Sequence, residues 1–185
     1  MNVVSILSNQ EKKTELLINV FNQLFLNSLN TKLVRGADEP LYTPKNTQQA
    51  FNCIIFAHGY FSSALHEISH WLVAGAQRRT LEDYGYWYQP DGRTEQQQQA
   101  FEIGEIKPQA IEWILSKACG HVFHFSADNL SSGLGISINF KRSVHCKVIE
   151  LLDSEKDNRM QRLLEALCAA FNQDYPQKKN FILSD

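Results

Sequence analysis

The chain lacks most of the features that announce a function class. Its four cysteines, Cys53, Cys119, Cys146 and Cys168, form no C-x-x-C pair, which removes a zinc knuckle and a thioredoxin-type redox pair. Two of them sit in apolar runs, NCIIF and LCAAF, where buried free thiols are the expected state. Neither sign of charge is in excess: 18 Lys+Arg against 20 Asp+Glu give a net charge of −2. That balance argues against a broad polycationic face, and so against nucleic acid as a partner. No apolar run approaches the roughly 20 residues that span a bilayer. The start, MNVVSILSNQEKK, has no cationic region of the kind that opens a signal peptide. The expectation is no membrane association and a reducing, cytoplasmic setting. Internal repeats and low-complexity tracts are also missing, and 43 % hydrophobic residues are too many for a disordered chain. At 185 residues, one domain over 1–185 with one sizeable core is expected.

What is present reads as helices around a few short strands. Residues 10–28 carry Leu16, Leu17, Val20, Phe21, Leu24 and Phe25 at helical spacing. Lys32 to Val34 suits a short strand, and 37–50, with Pro40 and Pro44, suits irregular chain. The run NCIIFA (52–57) reads as a buried strand, and His58-Gly59 as a turn after it. A helix capped by Ser62 or Ser63 is then expected to reach about Gln77. YGYWY (84–88) is strand-like, with a Pro90-Asp91-Gly92 turn after it, and 94–101 suits a short helix. Pro108 is a good first residue for a helix over 107–119 that ends at Gly120. The Ser/Gly-rich stretch 131–138 suits a loop or hairpin, and two terminal helices follow over 140–152 and 158–172. The total is an α+β fold, helix-rich with a small sheet.

One pattern carries chemistry: His66-Glu67-Ile68-Ser69-His70, an H-E-x-x-H. Residues four apart share a helix face, so both imidazoles can reach one metal ion. The three polar groups interrupt an otherwise apolar face, and burying them without a shared partner is costly. The competing reading is a surface helix with incidental histidines. Two histidines under-ligate a metal. Val73 and Ala76 stand where a metzincin has its glycine and third histidine. The remaining ligand is therefore sought among Glu102, Glu105, His58, His121, His124 and His145. Glu105 is attractive because it falls just before the helix expected from Lys107, at the mouth of an element. His58, at the end of the buried strand, suits a ligand-supporting or substrate-touching role equally well.

The same ligands serve two chemistries. With zinc, H-E-x-x-H plus a distal Glu makes a peptidase in which Glu67 takes a proton from water. With iron(II), two His and one carboxylate form a facial triad that leaves positions open for dioxygen and substrate. A metal in a purely structural role is a poorer fit, since structural zinc sites are closed and usually use Cys. A second patch, YGYWYQPDGR, contains Tyr86, Tyr88, Asp91 and Arg93. It suits core packing, or a pocket wall for a cationic lysine-like chain whose amine meets Asp91.

Three ordered runs carry a family resemblance: IIFAHGYFSSALHEISHWLVAG, RRTLEDYGYWYQPDGR and FEIGEIKPQAIEW, with GADEPLY before them. Over about residues 14–150 the chain closely resembles the elongation factor P hydroxylases. The resemblance weakens in the Ser/Gly-rich loop and in the helices after about residue 140. It implies an oxidoreductase, a protein-lysine monooxygenase that acts on elongation factor P once a lysine of that factor carries a β-lysyl group. It also implies a fold similar to a metal-dependent endoribonuclease, a zincin-like core with the H-E-x-x-H helix against the sheet. It further implies a two-His-one-carboxylate site for Fe(II) with dioxygen as co-substrate, although zinc or another divalent ion can fill such a site on purification. The matching positions are His66 and His70, with Glu105 as the carboxylate and Glu102 three residues away. Glu67, as a proton carrier or ligand orienter, and His58 are then the expected catalytic residues. Tyr86, Tyr88, Asp91 and Arg93 are expected at the substrate. A zinc metallopeptidase and a metal-dependent endoribonuclease remain the alternative readings.

Overall fold

The first helix begins where a capping box allows it. Ser8 Oγ accepts from the Glu11 N–H, and Glu11 Oε2 accepts from the Ser8 N–H at 2.7 Å, satisfying two donors that a helix start leaves orphaned. In the computed structural model, which describes residues 8–85, 95–126 and 136–183, this helix, α1, spans Asn9–Phe25 and buries Leu17, Val20, Phe21 and Phe25. The strands are β1 (Thr31–Arg35), β2 (Leu41–Thr43) and β3 (Asn52–Phe56). The later helices are α2 (Phe61–Val73), α3 (Glu95–Ala118), α4 (Ile138–Asp153) and α5 (Asn158–Phe171). The result is a helix-rich α+β fold with a three-stranded sheet.

The sheet runs β1-β3-β2. β1 pairs with β3 in parallel, with Leu33 opposite Ile54, and β2 is antiparallel to β3, with Tyr42 opposite Ile54. β3, the central strand, is the run of buried apolar residues seen in the sequence. β2 lies inside the stretch expected to be irregular. It is only three residues long, and Tyr42 fixes it. The Tyr42 N–H donates to Asp83 Oδ1 at 2.8 Å and the phenol donates to the Arg79 carbonyl at 2.8 Å. These partners are about 40 residues away, so local pattern could not show them. Asn22 of α1 bonds both backbone groups of Leu33, locking helix to sheet. Cys53, Cys119 and Cys168 are buried free thiols, and Cys146 is exposed.

α2 packs on β3 and α3, and its apolar side is wholly enclosed: Ala64, Leu65, Ile68 and Trp71 are all inaccessible to solvent. Trp71 is the hub, with the Phe21 and Phe25 rings 5.2 and 4.9 Å away. The helix stops at Val73, earlier than expected, because Ala74 turns extended (φ −65, ψ 122). Two arginines from elsewhere then satisfy its last carbonyls. Arg159 donates to the carbonyls of Trp71 (2.9 Å) and Leu72 (3.1 Å), and its guanidinium lies 4.9 Å from the centre of the Trp71 ring. Arg79 donates to the Ala74 carbonyl at 2.6 Å. Cations at a helix C-terminus also complement its dipole. We expect Arg159→Ala to destabilise the protein by about 2–3 kcal/mol, read as a lower urea midpoint at unchanged m. A shift under about 0.5 kcal/mol, the range of ordinary surface substitutions, would mean that water caps these carbonyls as well.

The largest departure from the sequence reading is α3. Two helices were expected, 94–101 and 107–119 with Pro108 starting the second. The chain instead forms one 24-residue helix with Pro108 inside it. Proline removes one helical hydrogen bond and crowds the preceding turn, at about 3 kcal/mol. Packing on both α2 and α4, with Phe101, Glu105, Gln109 and Ile111 all buried, outweighs it. The strand expected at 84–88 is also overturned where it is described. Tyr84 and Gly85 close a 3-10 turn over Glu82–Gly85, with left-handed φ at Asp83 (44), Tyr84 (58) and Gly85 (72). Residues 86–88, with the 90–92 turn and 131–135 of the expected loop, lie outside the described residues. None of the described helices is long and apolar enough to cross a membrane.

Candidate metal centre

The motif helix is launched by a kink. His58 (φ 51) and Gly59 (φ 68) both take left-handed backbone, which swings the chain out of β3 and into α2. Tyr60 occupies the N-cap without a side-chain bond, and Ser63, one of the two expected caps, instead accepts from the Ala57 N–H at 3.0 Å. With the apolar side of α2 against the core, His66 and His70 fall one turn apart on the side that meets α3. Their Nε2 atoms are 3.0 Å apart.

α3 brings the third group. Glu105 is 2 % exposed, with Oε1 3.2 Å from His70 Nε2 and Oε2 3.8 Å from His66 Nε2. One donor atom from each of the three residues lies within 4.8 Å of the others. Metal–ligand bonds of about 2.1 Å put neighbouring donors about 3.0 Å apart in an octahedron and about 3.4 Å apart in a tetrahedron. Two of the spacings, 3.0 and 3.2 Å, match a shared divalent ion, the third, 3.8 Å, is a few tenths of an ångström wider, and two nitrogens with one carboxylate oxygen are the chemistry of such a site. Glu105 was expected just before a helix, at its mouth. It sits near the middle of α3, because Pro108 does not start a new helix.

Two residues that the sequence reading passed over complete the arrangement. Glu112 Oε2 is 2.9 Å from His66 Nδ1, and only 7 % of the residue is exposed. An ionised carboxylate can only accept, so Nδ1 carries a proton, and Nε2 is the nitrogen that faces His70 and Glu105 and can ligate once the ring gives up its second proton. Gln109 donates from Nε2 to Glu105 Oε2 (3.4 Å) and to the Ser126 carbonyl (2.7 Å). Glu105, Gln109 and Glu112 stand at i, i+4 and i+7, a helical stripe of polar residues in an apolar face. That stripe was the legible signal.

The electrostatics follow from burial and these neighbours. Burial pulls the His66 pKa down, but the Glu112 hydrogen bond and the charges of Glu112, Glu105 and Glu67 outweigh it and push it up to about 10. Burial would raise Glu105, but the His70 hydrogen bond and the two imidazoles hold it below the usual carboxylate range. Glu67 goes up, because burial outweighs the pull of His66 and His70. In the metal-free protein the raised His66 contributes stability that is full below pH 6.5 and lost as pH rises through about 10. A metal must displace that proton. Its apparent affinity should therefore tighten about tenfold per pH unit up to about pH 10. Chelator-competition titrations at three pH values measure the slope, and a flat profile contradicts the proton assignment.

The other candidates lie elsewhere. His58 is exposed, with its ring centre 5.4 Å from that of Tyr60. His121 packs on Phe61 at 4.8 Å, His124 is exposed, and His145 Nε2 is 3.1 Å from the Phe181 carbonyl. Glu102, one turn before Glu105, accepts from Gln98 at 3.5 Å. Tyr86, Tyr88, Asp91 and Arg93 lie outside the described residues. His58→Asn keeps a side chain that tolerates left-handed backbone. We expect this variant to retain bound metal and more than about half the activity, as distant substitutions do. A drop below a tenth in metal-loaded protein would bring His58 into the chemistry.

A cleft of about 410 Å³ opens from His70 along Val73–Arg78 to Gly104 and Pro108. This size is within the range of small-ligand sites.

Residues 20–181 match the family described as elongation factor P hydroxylase. A relative from Haemophilus influenzae, the elongation factor P lysine hydroxylase, is 49 % identical over 162 residues, covering 88 % of this chain and 91 % of that one.

Proposed function

The chain belongs to the elongation factor P hydroxylase family, and from that premise we propose that it hydroxylates a lysine side chain of elongation factor P after that lysine has received a β-lysyl group. The observation that carries this reading is the meeting of His66, His70 and Glu105 at one point, in a chain 49 % identical to an enzyme of that name. In this reading the three residues hold Fe(II). Bound there, the ion supplies the activation of dioxygen that puts one oxygen atom into a C–H bond.

The chain's own residues do the rest. Glu112 keeps the His66 ring in the tautomer whose Nε2 can ligate, and Gln109 holds the Glu105 carboxylate in place. In this reading Glu67, whose raised pKa favours the protonated acid, holds and passes a proton for the reaction. The cleft beyond His70 takes the extended side chain. Pro108 has no N–H to give the Gly104 carbonyl, and both residues line the cleft, so in this reading that carbonyl accepts from an ammonium group of the side chain. Tyr86, Tyr88, Asp91 and Arg93 remain our choice for the outer substrate wall. The packing of α2 on β3 supports a zincin-like, metal-dependent endoribonuclease-like core. We treat 1–185 as one hydroxylase domain acting in the cytoplasm. Neither the peptidase nor the nuclease reading draws support from a specific observation.

The test is mass spectrometry of β-lysylated elongation factor P after incubation in air with protein, ferrous iron and a reductant. A gain of about 16 Da, one oxygen atom, that disappears with His66→Ala supports the proposal. No gain, or cleavage of the factor, sinks it.

A further inference from the structure

A second groove, larger than the metal cleft, is an open trough of about 740 Å³ between α3, α4, segment 121–125 and the chain near Ile182. Its floor is aromatic: Trp113 stacks on Phe123 (ring centres 5.2 Å apart, interplanar angle 14°) and meets Phe125 edge-on at 5.4 Å. Its rim is basic. Lys117 and Lys141 line it together with His121 and His124, and none of the described lining residues is a carboxylate. Two apolar side chains stand out at its edge, Val122 at 68 % and Ile182 at 79 % exposed.

The trough also communicates with the metal centre. Segment 121–125 ends at Ser126, whose carbonyl and N–H are both bonded by the Gln109 side chain, and Gln109 reaches Glu105. The segment that lines the trough is thus tied through Gln109 to the Glu105 carboxylate.

We propose that this trough is a docking surface for an acidic segment of the protein substrate, its carboxylates meeting Lys117 and Lys141 and an apolar residue resting on Trp113 and Phe123. A wall of stacked rings supplies area and the two lysines supply sign, which together fit an acidic peptide. Nucleic acid fits less well. The two lysines that line it neutralise too few phosphates to hold a strand at physiological salt. The identity of the partner as elongation factor P rests on the function proposed above.

The experiment measures binding without turnover. The metal-loaded chain is titrated with fluorescently labelled, β-lysylated elongation factor P at low and at moderate salt. The double variant Lys117→Glu/Lys141→Glu should raise Kd tenfold or more, and Lys117→Gln/Lys141→Gln should give an intermediate loss. Wild-type affinity should weaken with salt, whereas the reversed pair should show little salt dependence. Lys117 is exposed, so the fold is expected to survive, and the melting midpoint and metal content of both double variants check this. An unchanged Kd in the reversed pair overturns the proposal, as does undetectable binding by the wild type. It is overturned too if the variants lose affinity for a labelled single-stranded RNA while keeping that for the factor. A wild-type chain that binds the factor but never hydroxylates it defeats the proposed activity and leaves the docking surface standing. Hydroxylation with an unchanged Kd in the reversed pair does the opposite.

Discussion

Glu105→Ala should reduce hydroxylation of elongation factor P to below about 1 % and release the metal, while Glu102→Ala leaves more than about half the activity. The contrast rests on placement. Glu105 is buried, with one oxygen 3.2 Å from His70 Nε2 and the other 3.8 Å from His66 Nε2. Glu102 is half-buried one turn earlier and is engaged with Gln98. Removing the Glu105 carboxylate leaves two imidazoles with no anionic ligand, and an ion held by two neutral donors dissociates readily. Glu105→Gln keeps the volume and one acceptor oxygen but loses the charge, and it separates ligand loss from misfolding. Metal content by elemental analysis and product by mass spectrometry are the two readouts. If Glu102→Ala loses both and Glu105→Ala keeps them, the carboxylate ligand has been placed on the wrong turn of α3.

The second large effect is expected at a residue that is not among those lining the cleft beyond His70. Glu112→Leu should weaken metal binding by about 10- to 100-fold, and Glu112→Gln should fall toward the lower end. Glu112 fixes which His66 nitrogen carries the proton, and its charge raises the His66 pKa. Leucine removes both effects. Glutamine keeps a carbonyl oxygen that can still accept from Nδ1 but lacks the charge. A structural role alone would lower the melting midpoint and leave the metal affinity of the folded protein intact. The pH slope of metal uptake distinguishes the two. Without Glu112 the proton on His66 is held less tightly, so the steep rise of affinity with pH should end at a lower pH than in the wild type. A slope and affinity like those of the wild type would reduce Glu112 to packing.

These residues also show how far local pattern reaches. H-E-x-x-H could be read directly because a helix repeats every 3.6 residues, and a spacing of four puts His66 and His70 on one face in any helix. The buried strand ahead of it was legible because β3 is central in the sheet and its apolar residues are unbroken. α1 and α5 were legible from helical periodicity, and their ends missed by only a few residues. Glu105 was a candidate on chemistry, but the argument for it was wrong in detail. A helix start at Pro108 is the locally favoured choice, and the packing of α3 between α2 and α4 overrode it.

The sequence by itself determined the helical face that carries both histidines, the apolar runs that build the core, and the family. These are properties of one segment or of residues in order. Only the tertiary structure decided that α3 is continuous, which brings Glu105 to the histidines, places Glu112 behind His66 and ties Gln109 to Ser126. It alone closed the end of α2 with Arg159, 88 residues from Trp71 in the chain. The physical reason is the same each time. A metal ligand set, a buried carboxylate beside an imidazole and a capped helix end are satisfied by whatever group arrives in space. Which group arrives depends on how whole elements pack, where burial of apolar area outweighs a single lost hydrogen bond.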